Sequence, residues 1–141
     1  MLHVYRVEHT TTKVGPFQTF DPFTHELAEK ANARPWLKYP GDDGLPLGHL
    51  PYCFVFGCTD LPTLKQWFLL GDTHAEQEYI ISQLRQRGFH LAEFLVEKGD
   101  YELSDSGVQV AFHASVCREE GLVEYHDLSV LLDTAELALA A

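Results

Sequence analysis

Histidine, aspartate and cysteine are the residues of this sequence best suited to chemistry, but their spacing completes no catalytic or metal-binding motif. Eight histidines are present, yet none are paired as H-x3-H, which would place two imidazoles on one helix face, and HExxH is absent. His3 and His9 would share a strand face, but they lie too far apart to chelate one ion. Asp42 and Asp43 do not match the alternating acids of an EF-hand loop. We therefore predict no metal site.

Common cofactor and nucleophile motifs are also missing. The sequence contains no GxGxxG, GxxxxGK[ST] or GxSxG, the patterns that bind dinucleotides, bind phosphates or present a nucleophilic serine. Its three cysteines are an odd number and indicate no disulfide framework. Cys53 and Cys58 have no basic neighbour that would favour a thiolate. We expect reduced thiols and no bound cofactor.

The first predicted strand, Leu2–His9, carries the most informative ionisable residues. Apolar and aromatic residues alternate in it with Arg6 and Glu8, and successive side chains of a strand point to opposite faces. Arg6 and Glu8 could lie on a solvated face and offset each other's charge. Alternatively, Arg6 or His9 could project from the sheet into a cleft.

Charge is distributed unevenly along the chain. The net charge is -11, which argues against nonspecific binding to DNA, RNA or an anionic membrane. Residues 1–96 contain 11 acids and 8 bases, whereas residues 97–141 contain 10 acids and 2 bases. This acidic third could serve only solubility, or it could bind a protein with a basic surface, such as a nucleic-acid-binding protein. The candidate binding residues are Glu97, Asp100, Glu102, Asp105, Glu119, Glu120, Glu124 and Asp127.

The predicted elements that must position these residues indicate an α+β fold. Strands are predicted at residues 2–9, 52–56, 89–96, 101–103 and 108–112. Helices are predicted at residues 25–33, after Asp60 and at residues 73–87, with a short helical or irregular piece near residues 115–120. We expect a single compact domain over residues 1–133, with a mixed or antiparallel sheet and two to four short helices. Residues 134–141 would form a helical tail that frays.

Two other features bear on the site and on localisation. Residues 35–51 hold four prolines and three glycines, and a loop of this length inside a compact domain is typically functional or mobile. No apolar run approaches the roughly 20 residues of a membrane-spanning helix, and the N-terminus has no secretory pattern. We therefore expect a cytoplasmic protein.

Several short motifs resemble those of small uncharacterised phage and prophage proteins. They are Tyr5–His9, Gly15–Phe17, Phe56-Gly57, Gly88-Phe89 and Gln109–Phe112. More loosely, the order of elements resembles a reduced ADP-ribosyltransferase fold. That resemblance implies that Arg6 or His9 would contact NAD. It also places Gln109 where the family has a glutamate, and glutamine can bind a ribose hydroxyl but cannot stabilise a developing cation by charge.

These observations lead to two functional hypotheses. In the first, the chain is a phage accessory protein that inhibits a host system, such as a CRISPR or other defence complex, by binding its basic surface in the host cytoplasm. In the second, it is an enzyme that transfers ADP-ribose from NAD to a host protein. The enzyme hypothesis requires Arg6, Tyr5 or His9, and Gln109 to converge on one cleft, covered by residues 35–51. A third possibility is a virion or housekeeping component with neither activity.

Overall fold

The described residues form one six-stranded antiparallel sheet with four α-helices. A computed structural model describes residues 1–19 and 21–133. The predicted tail at residues 134–141 lies outside the described residues. The strands are β1 Leu2–His9, β2 Val55–Cys58, β3 Phe89–Val96, β4 Tyr101–Leu103, β5 Gln109–Phe112 and β6 Val123–His126. The helices are α1 Pro22–Asn32, α2 Leu61–Phe68, α3 His74–Gln86 and α4 Ala114–Glu119.

The strand order is β4-β5-β2-β1-β3-β6, and every pair is antiparallel. β1 and β3 pair along their full length, from Leu2 opposite Val96 to His9 opposite Phe89. On its other side β1 meets β2 at the register pair Tyr5 and Cys58. The predicted single α+β domain is thus confirmed. Of the two sheet types expected, mixed and antiparallel, the sheet is antiparallel.

The helices begin where short polar side chains cap them. Asp21 accepts a hydrogen bond from the backbone N–H of Phe23, and α1 therefore begins at Pro22 rather than at the predicted residue 25. Thr24 is buried within the first turn of this helix. Asp60 and Thr73 cap α2 and α3 in the same way, because such side chains satisfy N–H groups that have no partner inside the helix.

Helices cover part of each face of the sheet. One face packs against α1, α2 and α3 through side chains that include Val7, Leu91 and Leu84. The other face forms a second core around Phe94 and Phe112, covered by α4. β1 lies near the centre of the sheet, and its residues Val4, Arg6, Val7 and Glu8 are buried.

Two strands show the main differences from the prediction. The strand predicted at residues 52–56 lies at Val55–Cys58, since its register is set by pairing with β1 and β5. The edge strand Val123–His126 was not predicted. The segment Leu128–Leu131, which follows β6, is a 3-10 helix capped by Asp127.

Candidate functional site

A largely apolar cavity of about 410 Å³ opens beside the junction of β1 and β2. Aromatic side chains form much of its wall, among them Phe17, Trp67 and Phe68. The long loop, residues 35–51, contributes Tyr39, Pro40 and Leu47 to the lining of this cavity. Apolar pockets with a few fixed polar groups are the usual form of small-molecule sites.

Arg6 supplies a buried cation to the cavity lining. It is 7% exposed, and its guanidinium donates to the carbonyl oxygens of Phe56 at 2.8 Å and Lys13 at 3.2 Å. Burial lowers the pKa of Arg6, while the charge of Glu8 opposes that shift. The bond to Phe56 joins β1 to β2 beside their register pair. Arg6 therefore holds the sheet together at the edge of the cavity.

Gln109 lies in the same cavity but is held by neighbouring groups. Its side-chain amide nitrogen donates to the carbonyl oxygen of Lys38 at 2.6 Å and to the carboxylate of Asp43 at 3.3 Å. Asp43 also accepts hydrogen bonds from the backbone N–H and hydroxyl of Ser106. Burial raises the pKa of Asp43, but hydrogen bonds from Ser106, Ser104 and Gln109 outweigh it and leave that pKa below its ordinary value. These bonds fasten the long loop to β5.

His9 does not line this cavity. Its Nδ1 atom accepts from the backbone N–H groups of Thr11 and Thr12, each at 3.1 Å, and its ring packs edge-on against Phe89. Arg6 and Gln109 both line this cavity, but the lining includes neither Tyr5 nor His9, one of which the enzyme hypothesis also required there. His9 instead lies at the turn that follows β1.

The interpretation of Arg6 and Glu8 as a solvated pair was wrong. Glu8 is 0% exposed, and its carboxylate lies 2.6 Å from Arg118 and 3.3 Å from Arg6. The nearest His90 nitrogen is 3.9 Å away. Arg118 comes from α4, 110 residues along the chain from Glu8, and no local pattern in β1 indicated this partner.

The eight acidic residues predicted to bind a partner are divided among several surfaces. Seven are exposed and Asp100 is partly buried. Glu119 and Glu120 end α4, and the backbone N–H of His113, which precedes α4, bonds to the carbonyl oxygen of Asp100. Burial raises the pKa of the Cys117 thiol, and the charges of Asp100 and Glu120 raise it further.

Other members of this acidic set lie elsewhere. Glu102 is on β4 and Glu124 on β6, which are the opposite edges of the sheet. Asp127 forms a two-bond ion pair with Arg85, at 3.0 and 2.7 Å, and this hydrogen bonding holds the pKa of Asp127 at about 2. The main acidic group is therefore the one around α4.

Sequence reasoning missed Asp43, Glu8 and Arg118 as members of buried polar networks. Asp43 lies in an Asp-Asp-Gly sequence typical of a turn, which concealed its bonds to Ser106 and Gln109. A weak signal did exist for Glu8, since a carboxylate within an apolar alternating strand requires a partner if that face is covered.

Comparison with known proteins identifies a family. No curated protein and no solved structure matches the chain, so the ADP-ribosyltransferase resemblance remains a prediction. Among the helices of the described chain, none is long and apolar enough to cross a membrane. The family model described as Bacteriophage T4 Y00F protein matches residues 1–126, which confirms the phage resemblance. The chain therefore belongs to this family of phage proteins.

Proposed function

We propose that this phage protein inhibits a host system by binding a protein with a basic surface, such as a nucleic-acid-binding defence complex. The observation that carries the proposal is the acidic surface around α4, where four acids outnumber one exposed lysine, Lys98. Four acids contribute to this surface, which we call the α4 acidic surface: Glu97, Asp100, Glu119 and Glu120. They lie at the end of α4 and on the turn between β3 and β4. A backbone hydrogen bond from His113 to Asp100 joins this turn to the start of α4, and the charges of Asp100 and Glu120 both act on the Cys117 thiol.

Arg118 explains why this surface keeps its charge. It is the basic residue in the last turn of α4, but its guanidinium points inward, 2.6 Å from Glu8 and 5.4 Å from the centre of the Phe94 ring. Glu119 and Glu120 consequently have no offsetting charge on their own helix. Complementary charge of this kind accelerates association and selects partners.

Salt concentration tests the proposal directly. Tagged protein is used to capture partners from a lysate of the bacterial host at about 0.05 M and at about 0.5 M salt. Over that range the Debye screening length falls from roughly 14 Å to roughly 4 Å. We expect a basic partner that is retained at low salt and lost at high salt. Retention that does not change with salt would contradict binding through charge.

Matched charge reversals locate the surface. Glu119→Lys combined with Glu120→Lys should abolish capture. The control is Glu26→Lys combined with Glu29→Lys on α1, which changes the net charge equally at two sites 66% and 67% exposed. Equal loss of binding in both variants would show that net charge, rather than the α4 acidic surface, governs association.

A second candidate function is transfer of ADP-ribose from NAD to a host protein. It is favoured by one observation, that Arg6 and Gln109 line the same cavity beneath the long loop. Incubation of the protein with labelled NAD and host lysate should then label a host protein or release nicotinamide. If neither occurs, the enzyme hypothesis is wrong, and the binding proposal is unaffected.

A further inference from the structure

Two histidines and two glutamates meet on one face of three adjacent strands, at a place outside both the cavity and the α4 acidic surface. Register pairs Glu93 of β3 with Tyr5 of β1 on one side and with Glu124 of β6 on the other. His3 and His126 occupy the diagonal positions next to Glu93. Diagonal neighbours of an antiparallel sheet lie within reach of long side chains, so the sheet itself brings these four side chains together.

The distances place the ligand atoms close to one another. His126 Nε2 lies 3.0 Å from one carboxylate oxygen of Glu93 and 3.9 Å from Glu124. His3 Nδ1 lies 3.2 Å from the other oxygen of Glu93. Ligand atoms of Glu93, Glu124 and His126 all lie within 4.8 Å of one another. Two ligands bound tetrahedrally to zinc are about 3.3 Å apart, so a small closing movement would suffice.

We propose that Glu93, Glu124 and His126 bind a divalent transition-metal ion of the Zn²⁺ type. Imidazole and carboxylate together suit zinc better than calcium or magnesium, which favour sites made entirely of oxygen ligands. His3 is assigned a positioning role, because a ligating carboxylate is usually held by a further hydrogen bond on its other oxygen. Three protein ligands leave a coordination position open, and it faces solvent since Glu124 is 78% exposed.

The surrounding charge favours a cation. In the described chain, the ion-pair partners of Glu93 and Glu124 are the histidines already named. Unlike lysine and arginine, histidine carries no permanent positive charge, so neither carboxylate charge is permanently offset there. The effect reaches Tyr5, whose pKa is raised by burial and then by the charge of Glu93. A bound ion would offset this charge and would tie the edge strand β6 to β3.

The test titrates Zn²⁺ alone into the EDTA-treated full chain, in competition with a chromogenic chelator. The wild type should bind one ion per chain and unfold about 5 °C higher when saturated. Glu93→Gln and Glu124→Gln should each lower the affinity at least 100-fold, and His3→Gln about 10-fold. Because Glu124 is well exposed, its variant keeps the fold intact.

His74→Gln is the matched control. His74 lies 2.8 Å from Glu78 on α3, a pair of the same chemistry without a third ligand, and its loss should leave zinc affinity unchanged. Two outcomes would overturn the proposal. One is the absence of stoichiometric zinc binding by the wild type, and the other is binding that persists in both Glu93→Gln and Glu124→Gln.

Discussion

Glu8→Gln should be among the most destabilising single substitutions that preserve side-chain size. The glutamine fills the same volume but removes the negative charge that faces Arg6 and Arg118. Arg6 is 8% exposed in its side chain and cannot regain water where it lies. Removing one partner of a buried ion pair typically costs 3–5 kcal/mol because the remaining charge stays buried.

The lower end of that range applies here. Arg118 is 24% exposed in its side chain, so part of its guanidinium can be hydrated after the change. We therefore expect a loss of about 3 kcal/mol in the free energy of unfolding. With a urea dependence of about 2 kcal/mol/M for a protein of this size, the midpoint of unfolding should fall by about 1.5 M.

Urea denaturation followed by tryptophan fluorescence measures this loss. Glu26→Gln, at a 66% exposed carboxylate paired with Lys30, is the control and should change stability by less than about 0.5 kcal/mol. A double-mutant cycle with Arg118→Gln should give a coupling of at least about 1 kcal/mol with Glu8→Gln. A loss below about 1 kcal/mol, or additive effects in the cycle, would refute the reasoning.

Three further predictions concern backbone packing, thiol reactivity and pH. Gly57→Ala should lower the free energy of unfolding, measured in urea, by about 1–3 kcal/mol, because the added Cβ would lie 2.7 Å from a carbonyl oxygen of β1. The control is Gly48→Ala, whose Cβ would have nothing within 4 Å and which should leave stability unchanged. A thiol reagent at pH 8 should modify the half-buried Cys53 in the native state. Burial raises the pKa of Cys58 to about 12, so this thiol should react only after unfolding, because the thiolate is the reactive form. Burial lowers the pKa of His90, so the folded state resists its protonation and the free energy of unfolding should fall as pH drops below about 6.5. His90→Gln should remove this part of the pH dependence, and an unchanged slope would contradict it.

Elements governed by local signals were predictable from the sequence. β3 was expected at residues 89–96 and lies there, because β-branched and aromatic residues follow the turn at Gly88. That glycine has a φ of 88°, which is the left-handed conformation expected of a helix stop. The end of α3 and the start of β3 are thus specified by one residue whose conformational freedom can be read without tertiary information.

Features that depend on distant partners were not predictable. β6 is short and has a mixed composition, and pairing with β3 defines it. The burial of Glu8 depends on α4 covering one face of β1, and on Arg118 arriving from that helix. The His126 and Glu93 contact likewise joins strands far apart in sequence. Spacing rules applied within single elements cannot detect a cluster whose residues lie on different strands.

Arg6 belongs to both the cavity and the buried charge cluster, and this shared role determines how the cavity should be tested. Its two terminal nitrogens bond to carbonyl oxygens beside the cavity, while its Nε lies 3.3 Å from Glu8. Replacing Arg6 would therefore disturb β1, β2 and the contact with α4 at once, and lost activity would not distinguish chemistry from folding. Leu47 also lines the cavity but is 52% exposed. Leu47→Glu places a carboxylate at the cavity wall with little cost to the core, so it can block an apolar or anionic ligand while the fold stays intact.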